Sequence, residues 1–414
     1  MTATQLLYLI LAFIIGDFIF EQILDFLNGK SQSPEIPKEA KGIYEEDEYR
    51  KSYAYNTEKD KFSNISGIFS LSLTVAAFAF GWLGWLDNQL REVIANEIWL
   101  SLAFFGIIML ASDLFSTPFA LYNTFRIEAK YGFNKMTLGM FFGDKFKGYL
   151  IGTVIGGGLL AALISLIEYF GDNWWLYFWG VISVFILLIN MFYTSWVVPL
   201  FNKLTPLEDG ELKTAIEEYC KSVDFPLTNL FVIDGSKRST KANAYFSGMG
   251  KKKKVVLFDT LIKNHTIEEL VAVLAHEIGH YKKNHIKQTF AISIIQMGFT
   301  LFLLSLLVGN SLLSEALGAT QSGIHLELIV FTILFTPLSK ITSLLMNIFS
   351  RKNEFEADEY AATTYEGKYL QEALKKLSSN NLSNLTPHPA YVFFHYSHPP
   401  VLTRLQAIEK VEKK

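Results

Sequence analysis

A single cysteine, Cys220, occurs among the 414 residues of the chain. This excludes an intrachain disulfide and a thiol-rich metal cluster, and reads Cys220 as a small buried hydrophobe. Net charge is also slight, −3, with no basic domain set apart, which argues against a nucleic-acid partner. The N-terminal apolar run has no positively charged stretch before it and no small-residue cleavage site after it, so it is read as retained. Charged residues are scarce, 19% against 50% hydrophobic and 15% aromatic, and mean hydropathy is +0.24. Soluble chains of this length rarely reach that value, so the composition points to an α-helical multi-pass membrane protein.

A spanning helix needs roughly 20 mostly apolar residues. Seven stretches qualify, at about 4–27, 64–86, 97–122, 147–170, 173–199, 288–310 and 325–350. Connection 28–63 carries seven Lys or Arg and 123–147 carries five. By contrast, 87–96 has Arg91 alone, while 171–172 and 311–324 have none. Lysines return in 200–287 and again after residue 350. Basic and non-basic connections alternate strictly, which by the positive-inside rule places the N-terminus outside and the C-terminus in the cytosol. Residues 1–199 then hold five spans with cytosolic loops 28–63 and 123–147. A cytosolic segment at 200–287 follows, then two spans within 288–350, and a cytosolic C-terminal segment at 351–414. Asp17, Asp25, Asp113 and Lys340 would be costly in lipid and are expected to face a bundle interior or a wet cavity, with snorkelling an equal account of Asp25. Inside 200–287, "NLFVIDG", "NAYFSG" and "KVVLFDT" read as short strands joined by glycine-rich turns. The lysines at 251–254 read as a solvated hairpin tip, with anionic-lipid contact as the other reading.

Chemistry enters at "VAVLAHEIGHYKKNH", residues 271–285. A helix opening at Thr266, with Glu269 as its capping-box partner, puts His276 and His280 about 40° apart around the axis and one turn from each other. Both imidazoles can reach one ion, and Glu277 can lean over it as a general base. Helical histidines are more often plain polar surface, so the pair needs a third ligand. A catalytic zinc takes three protein ligands and keeps one position open. The stretch "SRKNEFEADEYAA" supplies a candidate: Glu354 and Asp358 share a helix face, while Glu356 points about 160° away from Glu354. Glu354 is assigned as third ligand, and Asp358 as acceptor of the far N–H of a ligand histidine. Read alone, the stretch is equally an acidic helix surface. The hairpin of the last two spans favours the ligand reading, because it returns residue 354 to the membrane face that residue 280 left. One zinc per chain is expected, polarising a carbonyl and activating a water whose proton Glu277 accepts. The C-terminal "HYSHPPVLTRLQAIE" offers His398 and Arg404 as further donors for a developing oxyanion, though composition alone reads them as a loop histidine and a surface arginine.

With these motifs, together with "YGFNK" at 131–135, "KKVVLFDTLI", "LAHEIGHYKKNH" and "SHPPVLTRLQAIE", the chain resembles the type I CAAX prenyl endopeptidases along nearly its whole length. These are membrane zinc metalloproteases that process the yeast a-factor pheromone and, in animals, prelamin A. The resemblance implies seven helices enclosing a chamber, with a gluzincin-like zinc domain containing a small β-sheet at its cytosolic end. It makes Asn243 and Ala244 part of an edge strand that pairs with the substrate backbone, where Asn243 would otherwise read as a turn residue at a strand start. It also makes His398 a stabiliser of the tetrahedral intermediate and Arg404 a partner near the zinc or Glu354. The implied partners are prenylated or otherwise membrane-anchored peptides and the bilayer. The "KVEKK" end carries no dilysine signal and the cytosolic loops are short, which is read as a bacterial inner-membrane protein rather than one of the endoplasmic reticulum. A quality-control membrane protease without a prenyl requirement is the enzymatic alternative. A transporter with a vestigial metal site is the alternative of another class, and the intact Glu277 argues against it.

Overall fold

The structure is a computed structural model describing residues 1–227, 229–247 and 254–413. Of the lysines at 251–254, all but Lys254 lie outside the described residues.

The membrane half begins with α1 (Ala3–Ser31), capped by the reciprocal Thr2–Gln5 pair. Next come α2 (Glu46–Ala79), α3 (Trp82–Arg91) and α4 (Glu97–Tyr122), the last running on through a π-helical turn at 123–128. A tight turn at Gly171 folds α5 (Leu138–Phe170) back onto α6 (Trp174–Trp196), and α7 (Val198–Phe201) follows. Several boundaries differ from the hydropathy reading: α2 starts 18 residues before the span expected at 64, and the sixth span ends at Ser305, five residues before 310. The second span was expected to run through to residue 86, but α2 stops at Ala79 and Gly81 turns left-handed at φ 66°. Gly84 then sits so close to the 317–319 backbone that a Cβ would meet Gly318 C at 2.3 Å. The "FAFGWLGWL" run is apolar on both sides of this break, so its hydropathy does not register the turn. The fourth span was placed at 147, but α5 starts nine residues earlier, where the Thr137 hydroxyl caps the helix through Met140 N.

The polar domain starts with β1 (Leu204–Pro206), α8 (Glu211–Ser222), β2 (Asn229–Ile233), β3 (Ala244–Ser247) and β4 (Lys254–Phe258). The sheet order is β1-β2-β4-β3, with β2 and β4 parallel and the outer pairs antiparallel. All three strands read from the sequence are present; β1, only three residues long and ending in proline, had no pattern to betray it. Two helices, α9 (Asp259–Asn264) and α10 (Ile267–Lys282), lead into α11 (His285–Ser305) and α12 (Ser311–Ala316). The 41-residue α13 (Ile324–Thr364), roughly 60 Å long, joins the seventh span to the acidic motif without a break. The boundary expected at 350 therefore falls inside one helix. The chain closes with α14 (Gly367–Asn380), α15 (Pro389–His395) and α16 (Val401–Glu412).

Among the described residues, six helical runs are long and apolar enough to cross a membrane, and one of them, Leu138–Phe201, contains both α5 and α6, so seven helices qualify. They pack as a ring: α1 on α2, α3 bridging α2 and α4, then α4 on α5, α5 on α6, α6 on α11, α11 on α13 and α13 back on α1. Three of the four intramembrane charges singled out above are paired across neighbouring helices, whereas Asp25 is exposed and lines an open cavity together with Asp60. Lys340 meets Asp17 at 2.9 Å and also Glu21, and Asp113 meets Lys145 at 2.7 Å.

At one end of the ring, the 28–63 and 123–147 segments pack together with the C-terminal segment. Tyr44, Tyr49, Tyr55, Ile127, Tyr131, Leu382 and Leu385 share one apolar cluster there. At the other end, α3 and α12 cover Leu6, Phe104 and Leu326.

Candidate metal centre

The pattern of α10 explains its position. Its Thr266–Glu269 capping box is formed in both directions, at 3.3 and 3.0 Å, as the sequence predicts. Beyond it the helix is apolar on nearly every face, and Leu270 to Ala275 and Ile278 are all buried. Such a helix is stable only when surrounded, here by α8, α13 and α14. Gly279 sets the closest approach: a Cβ there would lie 3.1 Å from both Cα and O of Ala357. This contact sits between His276 and His280 on α10 and between Glu354 and Asp358 on α13, and it draws the two residue pairs together.

The His276 and His280 Nε2 atoms lie 3.2 Å apart. Glu354 Oε2 is 3.4 Å from the first and Oε1 is 3.2 Å from the second. The three side chains present one ligand atom each, all within 4.8 Å of one another. Glu354 Oε2 is buried without a hydrogen-bond partner. Two imidazole nitrogens and a carboxylate aimed at one point need a cation between them, and two histidines with one glutamate is a zinc donor set. The residues therefore fit the metal that the sequence implies.

Behind the first ligand, Asp358 Oδ1 is 2.9 Å from His276 Nδ1. The same carboxylate takes a two-pronged bond from Arg404, at 2.7 and 2.8 Å. Arg404 is itself buried, and its Nη1 is 3.5 Å from Glu354 Oε2. His398 Nε2 lies 3.3 Å from Glu354 Oε1 on the open side. Burial pulls the His276 imidazole down, but its bonds to Asp358 and Glu354 outweigh burial and raise it to about 9 in the metal-free protein. Burial raises the Glu277 carboxyl above the usual carboxylate range, against the pull of His276 and His280. A carboxylate with that bias takes up a proton more readily near neutral pH.

A cleft of about 590 Å³ opens over these groups, with Asn243, Ala244, Glu277, His398 and Arg404 in its walls beside the three metal-facing side chains. Among the described residues β3 is the last strand on its side of the sheet, so the Asn243–Ala244 backbone lies at the sheet edge. All nine residues singled out from the sequence thus meet at one place, Asp358 standing just behind His276. The sequence reading missed His285 and Glu356. His285 Nδ1 is 3.0 Å from His280 Nδ1, and its Nε2 is 3.1 Å from Glu356 Oε2. It also missed Arg351, whose Nη1 donates to the Val392 and Tyr396 carbonyls at 3.2 and 2.5 Å and so fixes the turn leading to His398. The side chain of Arg351 carries no motif that its sequence neighbours would reveal.

Comparison with known proteins places this geometry in context. Residues 26–203 match the profile of the CAAX prenyl protease N-terminal region with its five membrane helices, and residues 206–412 match peptidase family M48. The CAAX prenyl protease 1 homolog of Arabidopsis thaliana is 37% identical over 415 residues, covering 98% of both chains. The human homolog is 34% identical, over 91% of this chain and 89% of its own. The crystal structure of S. mikatae Ste24p superposes with a TM-score of 0.93 at 32% identity, covering 98% of this chain and 99% of that one. These relatives are eukaryotic, so the bacterial origin and inner-membrane placement expected above find no support. Short loops and a chain end without dilysine carry no information about lineage.

Proposed function

The chain belongs to the CAAX prenyl protease 1 family of M48 zinc metalloendopeptidases, and from that membership we propose that it cleaves near the C-terminus of prenylated, membrane-tethered proteins. The observation that carries this reading is the convergence of His276, His280 and Glu354 in the same cleft as Glu277, at one end of a ring of membrane helices. His276, His280 and Glu354 would hold one zinc ion. Bound there, zinc supplies a Lewis acid for the scissile carbonyl and lowers the pKa of the attacking water. Glu277 takes the proton from that water and returns it to the departing amine. His398 and Arg404 face the developing oxyanion, Arg404 while clamping Asp358. The outer edge of β3 at Asn243 and Ala244, where the Ala244 N–H donates to Asn243 Oδ1 at 2.9 Å until substrate takes its place, pairs with the substrate backbone and lays it across the cleft. The alternation of basic loops puts this end of the ring in the cytosol. A lipid anchor on the substrate accounts for a hydrolytic site at one end of a ring of membrane helices, because it holds the scissile segment at the membrane surface.

Cleavage of a farnesylated CAAX peptide and its unprenylated twin by the purified full-length protein tests this. Preferential cleavage of the farnesylated peptide is the expected result. Equal rates on both would overturn the prenyl requirement and favour a general membrane-protein protease.

A further inference from the structure

We propose that His285 and Glu356 form a hydrogen-bond relay that fixes the ring orientation and tautomer of His280, giving the second ligand histidine a backing of its own. This rests on the reading of His276, His280 and Glu354 as a zinc site.

The proton positions follow from the geometry. His280 Nε2 faces His276 and Glu354, so as a ligand it carries no proton there, and its proton lies on Nδ1. The atom 3.0 Å from that Nδ1 is His285 Nδ1, which must then accept. The His285 proton is left on Nε2, where it donates to Glu356 Oε2 at 3.1 Å. One arrangement of protons satisfies both hydrogen bonds and leaves His280 Nε2 bare for the ion, with both imidazoles neutral and Glu356 ionised. His276 has the matching arrangement, with Asp358 as its direct acceptor. Outer partners of this kind orient the ligand ring and raise its basicity toward the metal.

The backbone is shaped to make the contact. In an unbroken helix, a residue five positions beyond His280 would point about 140° away from it. The chain instead breaks between α10 and α11 at Asn284, a non-glycine residue held left-handed at φ 60°. That conformation costs about 1 kcal/mol and persists where surrounding structure demands it. It swings His285 back over His280, and His285 is buried. Glu356 points away from Glu354 on α13, as its spacing dictates, and so reaches His285 from the other side. Its side chain is 35% exposed and lies 3.7 Å from Lys352, which favours the ionised form.

His285 is therefore a positioning residue, and metal affinity reads its role directly. Zinc dissociation constants would be measured by chelator competition on the full-length protein and on His285→Leu, His285→Asn, Glu356→Gln and the double variant His285→Leu/Glu356→Gln. Cobalt-substituted absorption spectra would be recorded for each. His285→Leu should weaken zinc about 10- to 100-fold and shift the cobalt bands. His285→Asn, whose Oδ1 can still accept from His280, should recover most of that loss. The double variant should match His285→Leu alone, because its relay is already cut. His285→Leu binding zinc within twofold of the parent would overturn the relay, as would His285→Asn being as weak as His285→Leu or additive losses in the double variant. A parent protein that takes up no zinc would instead remove the metal reading itself.

Discussion

His276 and Asp358 come from helices far apart in the chain, yet Nδ1 of one lies 2.9 Å from Oδ1 of the other. Arg404 holds the same carboxylate with two bonds, so orientation passes from α16 through α13 to α10. Asp358→Ala would leave an imidazole N–H and a buried guanidinium without an acceptor. Zinc affinity should fall about 10- to 100-fold. Breaking the buried pair should also cost roughly 3–5 kcal/mol of stability. Zinc retention during dialysis and thermal unfolding would report the two effects separately.

Proton and metal compete for His276. Its metal-free pKa is raised to about 9 from 6.5, so at pH 7 zinc binding must displace a proton from it. Calorimetry in buffers of different ionisation enthalpy should show release of about one proton per zinc at pH 7, with none above pH 10. The metal-free fold has the full benefit of this histidine below pH 6.5 and loses it as pH rises through about 9.

Close contact at Gly279 makes a separate prediction. Gly279→Val would drive methyl groups into Ala357 and Tyr360, whose atoms lie 3.1–3.2 Å from the position of a Cβ. Overpacking of this kind costs roughly 1–3 kcal/mol. Because the contact lies between the two ligand pairs, zinc affinity should drop along with the melting temperature. Unchanged affinity would show that α10 and α13 need not touch to build the site.

Cys220 should be inert in the native protein. Burial pushes its thiol up to about 12 from 9.0. At pH 8 the thiolate fraction is then about a thousandfold below that of an ordinary thiol, so iodoacetamide should label it only after denaturation. The stability it lends is complete below pH 9 and is lost as pH rises toward 12.

Much of the site was legible because its signals are local and periodic. His276, Glu277 and His280 repeat at helical spacing, as do Glu354 and Asp358, and the capping box at Thr266 marks where α10 starts. Spans were legible from hydropathy, but not where α2 gives way to α3, since Gly81 turns the chain without changing its polarity. The contact between His285 and His280 escaped notice because it depends on a left-handed residue between two helices, and no periodicity records such a break. Glu356 was read correctly as pointing away from Glu354; what lay in that direction belonged to another helix. Arg404 stands out in the sequence as one candidate oxyanion donor, but its place beside Glu354 was legible only by resemblance, because its partners are all distant in sequence.

Glu277→Gln isolates the role proposed for Glu277 as the base of the zinc peptidase. Zinc content and turnover of a farnesylated CAAX peptide would be measured on the same purified sample. Glutamine keeps the shape of the side chain but cannot take the proton, so zinc should remain at the parent level while kcat falls by roughly 100- to 10,000-fold. Turnover within a few-fold of the parent, with zinc still bound, would contradict that assignment.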